Sequence, residues 1–232
     1  MILSGLFLTA VIAVSIIPTL TSDDQRISAA LRESECPEVE REYLDKTSYT
    51  GPLIDTHIHI PAIPDSPYEK FDENDEQEHP IMGVNATISD YICMMDSEET
   101  TKVFAFFPVW DPITQESLDL VKRTMKKYPD RFVPFIMPPD HDDRTDGFPT
   151  VNATELAEML NVYPGLFKGY GEIGLYERGD HGGPKGAPAL PPDSERLLEI
   201  YPVVKKHNLL VYVHLGEGQK ENFENALELF PA

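Results

Sequence analysis

Cysteine is nearly absent from this sequence: there are 2 in 232 residues. That excludes a scaffold built on disulfides and a zinc site made of cysteine alone. Basic side chains are also scarce, with 19 Lys and Arg against 40 Asp and Glu and a net charge of −21. A phosphate backbone needs a basic face, so nucleic acid is excluded as the default partner unless a cation bridges the repulsion. No Gly-x-Gly-x-x-Gly or Walker-type loop follows the first strand-like segment, so a nucleotide-binding open sheet lacks its main support. Proline, by contrast, is plentiful, with 21 residues; that is well above the usual share of ~5% and favours many short, stiff connections. The hydrophobic share of 41% and charged share of 25% are those of a globular chain, not a disordered one. The length suits one large domain or two small ones, with enough apolar surface for a core.

Residues 1–21 contain no charged side chain. An apolar run of ~20 residues is long enough to span a bilayer and also resembles a secretory signal. The expectation is an exported protein, secreted or anchored by this segment, with 1–21 as its one membrane contact. Export would permit a disulfide between Cys36 and Cys93; two free buried thiols are the alternative. Asn85-Ala86-Thr87 and Asn152-Ala153-Thr154 match the glycosylation pattern. Asn152 has a second reading as a helix N-cap, with Glu155 as its capping-box partner.

Residues 22–50 read as a polar leader that packs on or tethers the main domain, with helical hints at Asp23–Leu31 and Glu38–Leu44. From Gly51 a rhythm begins. Apolar, β-branched runs at 52–60, 102–109, 131–137, 166–175 and 208–215 read as strands. Between them, 87–99, 113–128, 153–162, 194–207 and 219–229 carry apolar residues at helical spacing. Lys126, Lys127 and Pro129 form a stop signal for the second of these, and Pro202 is expected to kink or restart the fourth. Strand–helix alternation repeated five times implies parallel strands with right-handed crossovers. The expected fold class is α/β, either part of a β/α barrel or an open doubly wound sheet.

Asp55, His57 and His59 alternate along the first strand, so their side chains share a face. Two imidazoles projecting the same way can converge on one metal ion; a pair of buried structural histidines is the bland reading. His214 closes the fifth strand and precedes Gly216-Glu217-Gly218. Glu172 lies between glycines in Gly171-Glu172-Ile173-Gly174, and a carboxylate on an apolar strand needs a cation or a donor. A salt bridge to a neighbouring strand would serve it equally. Seven acids lie between Asp65 and Glu78, and Asp140-His141-Asp142-Asp143 follows the third strand. These read as solvated acidic loops, or as a specificity lid or secondary cation site. His181, in the Gly/Pro-rich stretch 178–192, reads as part of a flexible solvent-exposed loop, with approach to a substrate as the alternative, and His79 and His207 read as surface residues.

Asp-x-His-x-His on strand one, Gly-Glu-Ile-Gly-Leu on strand four and a histidine closing strand five resemble the amidohydrolase superfamily, in its amidohydrolase-related and TatD-like metal-dependent hydrolase branches. The resemblance covers residues 51–232. It implies a β/α barrel of the TIM type, of which this chain holds about five of eight βα units. It also implies one or two divalent ions of the zinc class, held by His57, His59, Glu172 and His214. Glu172 would also stand in the catalytic set, with Asp55, Glu217 and His181 as outer or substrate contacts. The implied activity is hydrolysis of a small-molecule ester or amide at a carbonyl or phosphoryl centre by a metal-activated water. The family's histidine after strand six and aspartate after strand eight have no counterpart in this chain, so an apparently truncated, inactive remnant is an alternative, with self-association through open strand edges. A metal-dependent decarboxylase and an exported cation-binding protein are the others.

Overall fold

The computed structural model describes residues 22–32, 36, 51–60, 87–108, 115–138, 148–177 and 189–231. Helix α1 (Ser22–Ala30) leads into strand β1 (Leu53–His59). There follow α2 (Ile88–Ser97), β2 (Thr100–Pro108), α3 (Gln115–Lys127), β3 (Phe132–Met137), α4 (Ala153–Val162), β4 (Gly169–Gly174), α5 (Glu195–Lys206), β5 (Leu210–His214) and α6 (Lys220–Leu229). All strand pairs are parallel, and the strands lie side by side in chain order, β1 to β5.

That order decides between the two architectures the sequence allows. A doubly wound sheet reverses its direction of travel and places helices on both faces. Here every crossover advances the same way, and crossovers of one hand then put every helix on one face. The packing agrees. Val103, Ala105 and Phe107 of β2, Ile136 of β3 and Tyr170 and Ile173 of β4 share one buried cluster with Met95, Leu118, Leu156 and Leu197 of the helices. The opposite face is separate: Phe106, Phe135 and Met137 pack with Phe104, Val133 and Tyr212. A helix-covered outer face and an aromatic inner face are those of a β/α barrel wall, five units long.

Local signals set the helix ends. Thr87 caps α2, its Oγ1 accepting from Asp90 N at 3.2 Å while Asp90 Oδ2 accepts from Thr87 N at 2.6 Å. Asn152 caps α4 in the same reciprocal way with Glu155, both bonds 2.9 Å, so its capping role is realised. Asn85 lies outside the described residues. Helix α5 runs through Pro202 without a restart. Leu197, Ile200 and Val204 dock it on the core, while Pro202 faces solvent, where the carbonyl it leaves unbonded can be hydrated.

Helix α1 packs on the barrel wall. Ile27 and Ala30 are buried, Asp24 pairs with Arg123, and Lys127 Nζ donates to Leu31 O at 2.8 Å. Cys36 and Cys93 are joined in a disulfide across 57 residues of chain, so the paired alternative holds.

The exported or anchored placement is corrected. Residues 1–21 lie outside the described residues, and among the described residues no helix is long and apolar enough to cross a membrane. Hydrophobic composition alone suggested a span; no helix among those described provides one. The hint of a helix at 38–44 and both acidic loops also lie outside the described residues.

Candidate metal centre

The site forms where β1 and β4 depart from regular pairing. Between Asp55 and Ile58, β1 carries one residue more than the facing stretch of β2, Val103 to Ala105. Between Tyr170 and Ile173, β4 carries one residue more than Val211 to Val213 of β5. An extra residue in one strand bends it and re-aims its side chains. On β4 the consequence is direct: Tyr170 and Ile173, three positions apart, both bury themselves on the helix face, and Glu172 is left for the inner one.

Two glycines make room for that arrangement. A Cβ on Gly169 would stand 2.0 Å from the Phe135 ring, and one on Gly171 would stand 2.1 Å from Tyr212 O. Gly171 also has φ +134, in the region that favours glycine.

Three side chains meet above the aromatic inner face. His57 Nε2 and His59 Nε2 are 3.0 Å apart, and Glu172 Oε2 lies 2.9 Å from the first and 3.2 Å from the second. Their donor atoms all fall within 4.8 Å of one another. Phe106 holds both imidazoles from below, at 5.2 Å edge-on to His57 and 5.5 Å to His59. Tyr212 lies 5.4 Å from the His57 ring. Asp55 Oδ1 accepts from the backbone N of His57 at 2.9 Å, so this carboxylate shapes the strand at the bulge. Tyr91 of α2 donates its hydroxyl to His59 O at 3.0 Å.

His214 meets the same carboxylate from the other side, its Nδ1 3.3 Å from Glu172 Oε1. The side chain of Glu172 is 16% exposed, whereas those of His57 and His214 are 42% and 44% exposed. The site is therefore closed around the carboxylate and open past two imidazoles. Burial pushes the Glu172 carboxyl up, but hydrogen bonds from the two histidines and their charge outweigh it and leave the group below its ordinary range.

Of the residues singled out from sequence, the structure brings together His57, His59 and Glu172, with His214 against the carboxylate and Asp55 at the backbone. Glu217 stands exposed in the turn after β5, outside the cluster. His181 and His79 lie outside the described residues. His207 is half-buried at the end of α5 rather than on the surface. It follows α5 as the C-cap residue, and its Nε2 is enclosed with no hydrogen-bond partner among the described residues. Sequence reasoning did not find Tyr91, Tyr176, Tyr212 or Gln219. The one local signal among them was a polar Gln at the close of a glycine-rich turn.

No protein-family model matches the chain, and no curated protein matches it. Among solved structures it is similar to a candidate amidohydrolase from Staphylococcus aureus, at 16% identity and a TM-score of 0.39, covering 75% of this chain and 50% of that one. It is also similar to a 2,6-dihydroxybenzoate decarboxylase complexed with 2,6-dihydroxybenzoate, at 16% identity and a TM-score of 0.41, covering 78% of this chain and 56% of that one. A third is a dihydroxybenzoic acid decarboxylase from Polaromonas sp. JS666 with bound manganese and the inhibitor 2-nitroresorcinol. It shows 13% identity and a TM-score of 0.41, covering 78% of this chain and 55% of that one. The chain spans about half the length of these structures.

Proposed function

We propose that His57, His59 and Glu172 form a divalent-metal centre, and that the chain is a metal-dependent hydrolase acting on a small-molecule ester or amide at a carbonyl or phosphoryl centre. One observation carries the reading: two imidazole nitrogens and a carboxylate oxygen, drawn from two strands, meet at separations of 2.9 to 3.2 Å. A tetrahedral ion ~2.0–2.1 Å from each ligand holds those ligands about 3.3 Å apart, so the donors need shift only slightly. Imidazole with carboxylate and no thiolate suits zinc and its first-row neighbours. The chain's net charge of −21 also favours cation capture.

When bound, such an ion lowers the pKa of a coordinated water toward ~7 and polarises a carbonyl or phosphoryl oxygen. The protein's own groups do the rest. The Phe106 ring and the Asp55 bond to the His57 backbone fix where the two imidazoles point. Glu172 Oε2 places a negative charge at the cluster. Asp55 is committed to the strand. The open side past His57 is where a substrate enters.

The test is turnover by the full chain loaded with Zn²⁺ against activated esters, lactones, amides and phosphoesters. The expected result is hydrolysis of at least one class, abolished by a chelator and by His57→Ala. Hydrolysis that survives His57→Ala, or a Zn²⁺-loaded chain inert toward every class, contradicts the reading.

A further inference from the structure

We propose that Tyr176 is a positioning residue: it holds the His214 ring in the orientation that grips the outer oxygen of Glu172. The inference rests on the metal-centre reading above and deepens it.

The carboxylate of Glu172 is held from two sides. Oε2 faces His57 and His59, and Oε1 faces His214 Nδ1 at 3.3 Å. The terminal torsion of a glutamate is broad, so contacts on one oxygen leave its plane free to swing, and the second contact fixes it. His214 in turn packs edge-on against Tyr176, ring centroids 4.8 Å apart. An outer residue that orients a ligand is a regular part of a metal site, and its loss typically weakens metal binding.

The surroundings of Tyr176 are built for it. Gly174, at the end of β4, lacks the Cβ that would stand 3.0 Å from the Tyr176 ring. Gly216, just past β5, lacks the Cβ that would stand 2.9 Å from Tyr176 Cα. Gln219 closes the base. Its Oε1 accepts from Gly216 N at 2.8 Å, and its Nε2 donates to Leu175 O at 2.8 Å and Leu190 O at 3.2 Å. At 6% exposure this amide is buried and uses both of its donors. It ties the residue before Tyr176 to the turn after His214, so the tyrosine and the histidine move as one unit.

The experiment uses the full chain with Tyr176→Ala, Tyr176→Phe, His214→Ala and the Tyr176→Ala/His214→Ala double variant. Zn²⁺ affinity is measured by titration calorimetry, and the His214 imidazole resonances are recorded by NMR on the metal-free proteins. Tyr176→Phe keeps the ring and should stay far closer to the wild type in Zn²⁺ affinity than Tyr176→Ala. Tyr176→Ala should weaken Zn²⁺ binding about tenfold and move the His214 resonances. In the His214→Ala background it should cost nothing more, because the two residues act in series. An equal loss in both backgrounds, or unchanged affinity with unmoved His214 resonances, overturns the proposal. If the wild type binds no Zn²⁺, the metal-centre reading fails on its own. The resonances then decide the role of Tyr176: moved signals support it and unmoved signals overturn it.

Discussion

The hydroxyl of Tyr91 donates to the backbone carbonyl of His59 at 3.0 Å, so helix α2 on the outer face fastens the strand end that carries an imidazole on the inner face. The bond links the packing of the wall to the geometry of the site. Tyr91→Phe removes it and leaves a carbonyl without its donor. The expected loss of stability is about 1 kcal/mol, read from the urea midpoint. The ring still fills its place, so a loss far above that value would mean the hydroxyl does more than hold the strand.

Alkaline pH tests the same hydroxyl. Burial pushes Tyr91 up to about 12, helped by the charge of Asp90, and burial does the same to Tyr201 beside Asp193. Folding therefore favours the protonated phenols over an unfolded value of 10. The stability they lend is fully present below pH 10 and is lost as pH rises from 10 toward 12. Unfolding should accompany the appearance of tyrosinate absorbance in that window. Tyr91→Phe and Tyr201→Phe should each flatten the loss, and a fold indifferent to pH 12 would contradict the burial of both groups.

Gly169 leaves its place to the Phe135 ring. Gly169→Ala should cost about 1–3 kcal/mol by overpacking. Adding Phe135→Leu should recover part of that loss, since the obstruction is the ring itself. If the double variant were no more stable than Gly169→Ala alone, the clash would lie elsewhere.

The Cys36–Cys93 bridge closes 57 residues of chain. In the chain-entropy model a loop of that length is worth about 4 kcal/mol. Replacing both cysteines with serine, or unfolding under reductant, should lower the urea midpoint accordingly. An unchanged midpoint would mean that the bridge does not form in solution.

Much of the wall was legible in the sequence because strands and helices here obey local rules. The apolar run read as a strand at 131–137 is β3, Phe132–Met137, and Asn152 with Glu155 announces the first turn of α4 without help from the rest of the chain. The order of the strands was not legible. It belongs to the whole sheet, and the same rhythm serves a doubly wound fold. At the site, His57 and His59 were readable because alternation alone puts them on one face. Glu172 was readable as a carboxylate in need of a partner, but the bulge that turns it inward was not, since register depends on the neighbouring strand. His214 was placed correctly at the end of β5, whereas the atom it meets, Glu172 Oε1, is a property of the assembled fold. Tyr91 and Gln219 were missed for a related reason. Each acts on backbone atoms of a distant element, and the glycine-rich turn before Gln219 does not by itself name those partners.

The central claim is that side chains from β1 and β4 share one ion. Metal analysis of the purified full chain after equilibration with Zn²⁺ and removal of the excess tests it most directly. Wild type should retain one ion per chain, and His57→Ala, His59→Ala and Glu172→Ala should each retain far less while keeping the melting temperature of the metal-free wild type. Equal metal content in the wild type and all three variants would contradict the account.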